Sequence, residues 1–134
     1  MKFTRMEEVA VLIVVSLAGK TTPVTLAEIS ATHGISVPFL KKITRLLKYS
    51  KLVEAKEGSG GGYFLARAPS DICLADIIRA VSGSGVEPFL SPDANSCPFG
   101  KRCMPLEIRR SLASALSNAL TTVTIASLME NKRL

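Results

Sequence analysis

A chain of 134 residues and 14.3 kDa has room for one ordinary domain. Its composition, 47% hydrophobic and 21% charged, excludes a disordered or low-complexity polymer. The net charge of +6 is unevenly spread: residues 1–69 carry ten Lys or Arg against five Asp or Glu, and residues 70–134 carry seven against six. A basic first half points to a polyanionic partner, nucleic acid ahead of a membrane surface.

With no Trp and 5% aromatic residues, the core has to be aliphatic. The longest apolar run, Val9 to Ala18, is half the roughly 20 residues a membrane span needs, so it reads as a buried helix. Glu7 and Glu8 interrupt the start of any signal peptide, and no small-residue cleavage site follows. The expectation is a soluble, cytoplasmic protein without a membrane segment.

Thr4 can cap a first helix over about Arg5 to Ala18, apolar on nearly every side and therefore surrounded by protein. Gly19 to Pro23 breaks it. Thr25-Leu26-Ala27-Glu28 has the capping-box pattern and starts a short second helix ending near Thr32. His33-Gly34-Ile35 is a tight turn in which Gly34 can take a positive φ. Ser36 caps a third helix with Pro38 in its first turn, running to about Tyr49.

A short helix, a glycine turn and a longer helix form the helix-turn-helix pattern. In the third helix Phe39, Leu40, Ile43, Leu46 and Leu47 share an arc of about 120°, and Lys41, Lys42, Arg45 and Lys48 share the opposite one. No acidic residue occurs from His33 to Lys51. A solvated surface helix usually mixes signs; four cations without an anion favour a phosphate-facing helix.

After Leu52 the period changes to that of strands. Leu52–Glu57 and Gly62–Ala66 flank the flexible tip Gly58-Ser59-Gly60-Gly61. A nucleotide-binding glycine loop would lead into a helix with a following Lys, and this one leads into a second strand. The pair is a hairpin wing. The fold class is mainly α with a small β-hairpin wing: a winged helix-turn-helix plus a long C-terminal dimerisation helix.

Ala68-Pro69-Ser70 ends the wing. A fourth helix, about Leu74 to Ser82, presents Ile77, Ile78 and Val81 on one face, and residues 84–103 read as a Gly- and Pro-containing loop. From Met104 to Leu120 the helical period returns, with Ile108, Leu112, Ala113, Ala115, Leu116, Ala119 and Leu120 covering nearly half the circumference. So wide an apolar face on a terminal helix calls for a partner's equivalent helix, hence a homodimer. Thr124 caps a last short helix with Ile125, Leu128 and Met129. The expected organisation is a DNA-binding region over 1–69 and, over 70–134, a helix, a cysteine loop and the dimerisation helix, in one compact domain.

The wing run Gly58-Ser59-Gly60-Gly61-Gly62-Tyr63-Phe64-Leu65-Ala66-Arg67, followed by Pro69, Ile72, Leu74 and Asp76-Ile77, resembles the bacterial winged-helix regulators typified by IscR, NsrR, RirA and CymR. The opening Met1-Lys2-Phe3-Thr4 and the stretch Ile35 to Leu40 are similar too, so the resemblance spans essentially the whole chain. It implies a dimeric transcription factor, joined through its long C-terminal helix and binding a partly palindromic site on double-stranded DNA.

In a winged helix the third helix enters the major groove with its first turns at the base edges. That places Ser36, Val37, Pro38, Lys41 and Lys42 nearest the bases, with Arg45, Lys48 and Lys51 set for phosphates. Thr25, at the second helix N-terminus, can donate to a phosphate. Wing residues Ser59, Gly60 and Gly61 complete the face. Some members of the resembling group carry an Arg before the wing glycines; here Glu57 stands there, with Lys56 as the available substitute.

Three cysteines do not form the disulfide framework of a small secreted domain. Cys97 and Cys103 lie in the loop before the long helix, with Lys101 and Arg102 beside them to favour thiolates. In the cluster-binding members this loop carries three cysteines; Cys97 and Cys103 match two, and the third would fall near Ser91. A fourth-ligand His of some members would fall at Leu106 or Leu12, whereas an acidic ligand crossing from the other subunit matches Glu8. The resemblance therefore implies a [2Fe–2S] or [4Fe–4S] cluster with Glu8, Cys97 and Cys103 as ligands, one short of the usual four. The same residues are compatible with a cluster-free thiol switch, and Glu8 with an ordinary solvated place on the first helix.

Cys73, between Ile72 and Leu74, reads as structural. His33 is the only histidine and lies in the helix-turn-helix turn, so there is no zinc-finger spacing and no nucleophile–base pair. The chain is not expected to be an enzyme. The competing expectation from another class is a winged-helix protein whose main task is to bind a metabolic enzyme or other protein.

Overall fold

The computed structural model describes residues 3–82 and 106–131. The chain runs α1 (Arg5–Leu17), α2 (Leu26–His33), α3 (Val37–Tyr49), β1 (Val53–Lys56), β2 (Gly62–Leu65), a 3₁₀ turn (Pro69–Asp71), α4 (Leu74–Ser82), α5 (Leu106–Thr122) and α6 (Ile125–Asn131). Every expected helix and both strands are present, with ends displaced by a residue or two. The expected loop over 84–103, including Cys97 and Cys103, lies outside the described residues.

Helix α1 starts on a complete capping box: Thr4 Oγ1 accepts from Glu7 N–H at 3.2 Å, and Thr4 N–H donates to Glu7 Oε2 at 2.8 Å. These bonds let Glu7 sit buried while Glu8, one residue on, stays exposed. At Thr25 only half of the expected box forms, Thr25 Oγ1 accepting from Glu28 N–H at 3.2 Å. The Glu28 side chain remains in solvent.

One aliphatic core joins the elements. Val9, Ala10, Ile13 and Val14 of α1 pack with Leu26 and Ile29 of α2, Leu40, Ile43 and Leu47 of α3, Leu52 and Val53 at the wing, Ile72 and Ile77, and Ile125 of α6. Each fully buried Leu, Ile or Val contributes about 1.5–3 kcal/mol. Val11, Leu12 and Val15 are half-buried, so α1 is not enclosed on every side. A smaller cluster of Ala75, Ile78 and Leu120 seats α5 against α4.

The hairpin is antiparallel, with Val53 opposite Leu65 and Lys56 opposite Gly62. Val24, just before α2, adds a further bridge by pairing with Tyr63, so the wing is tied to the helix-turn-helix by backbone. Neither this bridge nor the 3₁₀ turn carries a periodic pattern in the sequence. A second bridge, Cys73 with Thr124, joins the start of α4 to the start of α6, reinforced by Leu74 N–H to Val123 O at 3.0 Å and Ile125 N–H to Ile72 O at 2.9 Å. Thr124 caps α6 as expected, its Oγ1 accepting from Ser127 N–H at 3.1 Å.

Candidate nucleic-acid interface

The turn between α2 and α3 depends on Gly34, which closes α2 at φ 67°, ψ 29° with its N–H on Ser30 O at 2.8 Å. Ile35 is buried immediately after it and anchors the turn, and the chain then enters α3.

Helix α3 is sharply two-sided. Leu40, Ile43, Thr44 and Leu47 are buried, while Phe39 and Leu46, expected on the same face, are half-buried. The inward direction is centred on Leu40 and Leu47, which draws Thr44 in and leaves Phe39 and Leu46 at the edge of the arc. Thr44 is tolerated there because its Oγ1 donates to Leu40 O at 2.7 Å.

On the outward side Pro38, Lys41, Lys42, Arg45, Lys48 and Tyr49 are all exposed and share about 120° of arc. None of these cations pairs with a carboxylate among the described residues, where the ion pair found is Arg79 with Asp76 at 3.7 Å. Tyr49, 89% exposed, was not singled out from the sequence, although the helical period alone puts it between Arg45 and Lys42.

Ser36 occupies the N-cap position of α3, yet its hydroxyl makes no capping bond. Pro38 has no N–H to offer, so one of the two usual capping donors is missing. The Ser36 hydroxyl and the exposed Val37 and Pro38 therefore face outward at the N-terminus of α3. Thr25, half-buried, uses its oxygen as an acceptor for Glu28 N–H and keeps its hydroxyl proton available.

At the wing, Lys56, Glu57, Ser59 and Gly60 are exposed. Gly60, at φ 74°, has open space where a Cβ would stand. Gly61 is committed to the hairpin: its N–H donates to Gly58 O at 3.0 Å, and a Cβ there would collide with Lys56 O. Thus Pro38, Lys41, Lys42, Arg45 and Lys48 share one face of α3, Ser36 and Val37 are exposed at its N-terminus, Lys56, Ser59 and Gly60 lie on the wing, and Gly61 shapes the wing from within.

The cysteine part of the expected site is only partly in view. Glu8 is exposed on α1, and Cys97 and Cys103 lie outside the described residues. Among the described residues no three His, Cys, Asp or Glu side chains gather as a metal site. Cys73 is engaged in the fold: its Sγ–H and its N–H both reach Asp76 Oδ2, at 3.2 and 3.1 Å, at the start of α4. Of the three expected ligands, Glu8 alone lies among the described residues.

A helix-turn-helix with an outward cationic second helix and a hairpin wing defines the winged-helix class of DNA-binding transcription regulators. The model of the Rrf2 family, iron-dependent transcriptional regulators, matches residues 3–131. The chain belongs to the Rrf2 family. It is 32% identical over 120 residues to the transcriptional regulator IscR of Klebsiella pneumoniae, covering 90% of this chain and 73% of that one. To IscR of Vibrio atlanticus it is 35% identical over 117 residues, covering 87% and 67%.

Among solved structures it is similar to CymR, the global cysteine regulator of B. subtilis, with TM-score 0.76 and 26% identity over 98% of each chain. It is also similar to T. potens IscR, with TM-score 0.73 and 25% identity, covering 98% of this chain and 88% of the other. These relatives are transcription regulators, so the chain is a DNA-binding regulator rather than an enzyme. Among the described residues no helix is long and apolar enough to cross a membrane.

Proposed function

We propose that this protein is a cytoplasmic homodimer that binds a specific double-stranded DNA site, with α3 in the major groove and the wing beside the adjacent backbone. The observation that carries this reading is the outward face of α3, where four exposed cations stand without a carboxylate partner among the described residues. Ser36, Val37, Pro38, Lys41 and Lys42 lie on the first turns and reach base edges; Arg45 and Lys48 take phosphates. Thr25 donates to the backbone from the start of α2, while Lys56, Ser59 and Gly60 follow the wing, with Gly61 setting its shape. Residues 1–69 form the DNA-binding region, and 70–134 the dimerisation and sensing region.

The homodimer is supported by α5. Its inner side packs on α4 through Leu116 and Leu120, but Ile108 is 51% and Leu112 44% exposed, with Ala115 and Ala119 on the same outward stripe. Spacings of four, three and four residues are those of a helix seam. Two such seams facing each other would place two copies of α3 for a two-fold site.

For sensing, we assign Cys97, Cys103 and Glu8 as ligands of an iron–sulfur cluster, in keeping with the iron-dependent description of the family. The cluster would supply sensitivity to iron or redox state; the chain supplies a carboxylate exposed on α1 and two cysteines before α5.

Salt titration of DNA binding tests the main reading. Wild-type affinity should fall steeply with salt, and Lys41→Ala and Arg45→Ala should each weaken binding and reduce the log–log slope by about one. Unchanged affinity and slope in both variants would overturn the assigned face. A dimer without salt-sensitive DNA binding that captures a specific enzyme would be a protein-binding module instead.

A further inference from the structure

Helix α3 ends in a left-handed turn. Ser50 N–H reaches Leu46 O at 3.1 Å, Lys51 N–H reaches Lys48 O at 3.0 Å, and Leu52 N–H reaches Leu47 O at 3.0 Å. This is the Schellman arrangement, in which the residue after the cap takes positive φ and is usually Gly. Here that residue is Lys51, at φ 61°. Among the described residues the other positive-φ positions, Gly19, Gly34, Gly58, Gly60 and Gly62, are all glycines. A Cβ in this region costs free energy that glycine would not.

Nothing among the described residues repays that cost. The Lys51 side chain is exposed and makes no hydrogen bond or ion pair with any described residue. Its backbone, in contrast, is rigidly placed, because the next two residues, Leu52 and Val53, are fully buried. Lys51 thus stands at the seam between α3 and β1, beside Lys48 and the exposed Tyr49. In the reading above, α3 lies in the major groove with the wing beside the adjacent backbone, and Lys51 is the cation at the junction of these two elements.

We propose that Lys51 is a phosphate contact kept at a strained position for the sake of that contact, so that fold stability and DNA affinity oppose each other at this residue. The proposal rests on the DNA-binding reading above and adds to it a site where function is maintained against folding. Replacing Lys51 should therefore make the protein both more stable and a poorer DNA binder, an outcome that neither a plain surface lysine nor a structural residue would give.

The experiment compares Lys51→Gly, Lys51→Asn and Lys51→Arg in the full chain, by thermal unfolding and by salt-titrated binding to duplex DNA. Lys51→Gly should raise Tm by about 2–6 °C and reduce the salt slope by about one. Lys51→Asn, tolerant of positive φ but uncharged, should lose the same affinity without falling below wild type in Tm. Lys51→Arg should match wild type in both. Full DNA affinity and slope in Lys51→Gly would overturn the contact, and weakened binding without a gain in Tm would overturn the strain. Because Lys41→Ala is measured alongside, a loss there with none at Lys51 rejects this proposal alone, while no salt-sensitive binding by wild type rejects the reading beneath it.

Discussion

Val24 and Tyr63 exchange two backbone hydrogen bonds, Val24 N–H to Tyr63 O at 2.9 Å and Tyr63 N–H to Val24 O at 2.7 Å. The residue before α2 is thereby fixed to the second strand of the wing. The pair ties the helix-turn-helix to the wing by backbone, although 39 positions of sequence separate the two residues.

The contact explains Gly62. Its φ is 150°, and a Cβ there would stand 2.7 Å from the Val24 carbonyl. Gly62→Ala should cost about 2–4 kcal/mol, combining backbone strain with a steric clash that only main-chain movement can relieve. Urea unfolding measures the loss, and DNA affinity should fall with it as the wing shifts. Gly60→Ala is the control: its surroundings are open, so strain at φ 74° alone should cost about 1 kcal/mol.

Much of this surface was legible in the sequence because helices announce themselves locally. The period of α3, the Gly34 turn and the glycine run of the wing each follow from neighbouring residues. The Val24–Tyr63 bridge, the Cys73–Thr124 bridge and the left-handed Lys51 do not, since each depends on where distant segments meet or on a conformation the residue type disfavours. The inward place of Thr44 does not follow from hydropathy, since a hydroxyl counts as polar, whereas its bond to Leu40 O satisfies it in the core. Tyr49 is uncharged and so stands outside the cationic pattern, although the helical period places it on the same arc as the cations.

Ser36 and Thr25 both occupy N-cap positions but do different work. Thr25 Oγ1 accepts from Glu28 N–H, so Thr25→Ala should lower stability by about 1 kcal/mol. The Ser36 hydroxyl makes no capping bond, so Ser36→Ala should leave stability within about 0.5 kcal/mol of wild type. If that hydroxyl contacts a base edge, affinity for the specific site should fall by about 1 kcal/mol or more, near fivefold, with non-specific binding unchanged. Equal losses on specific and random duplexes would assign Ser36 to the phosphate backbone instead.

The outward stripe of α5 separates association from folding. Ile108 and Leu112 are half-exposed and belong to neither hydrophobic cluster of the described residues, so the double variant Ile108→Glu with Leu112→Glu should remain folded by circular dichroism. If the proposed dimer forms through this seam, sedimentation should show wild type as two subunits and the variant as one, because four buried like charges across a seam are not tolerated. Affinity for a two-fold DNA site should then collapse toward that of a single half-site, while a variant that stays dimeric would place the interface on another face.

The cysteine assignment makes its prediction through metal content. Protein purified without oxygen should contain two or more irons with matching acid-labile sulfide per subunit, and Cys97→Ala or Cys103→Ala should abolish both. Glu8→Ala should weaken retention rather than folding, because Glu8 is exposed and the capping box of α1 is completed by Glu7. Cys73→Ala should leave iron content unchanged, since its thiol is held by Asp76 Oδ2 at the start of α4. Iron-free protein that still binds DNA would overturn the cluster and turn Cys97 and Cys103 into a thiol pair, whose test is whether oxidation alone, reversed by a dithiol reductant, changes affinity for the same duplex.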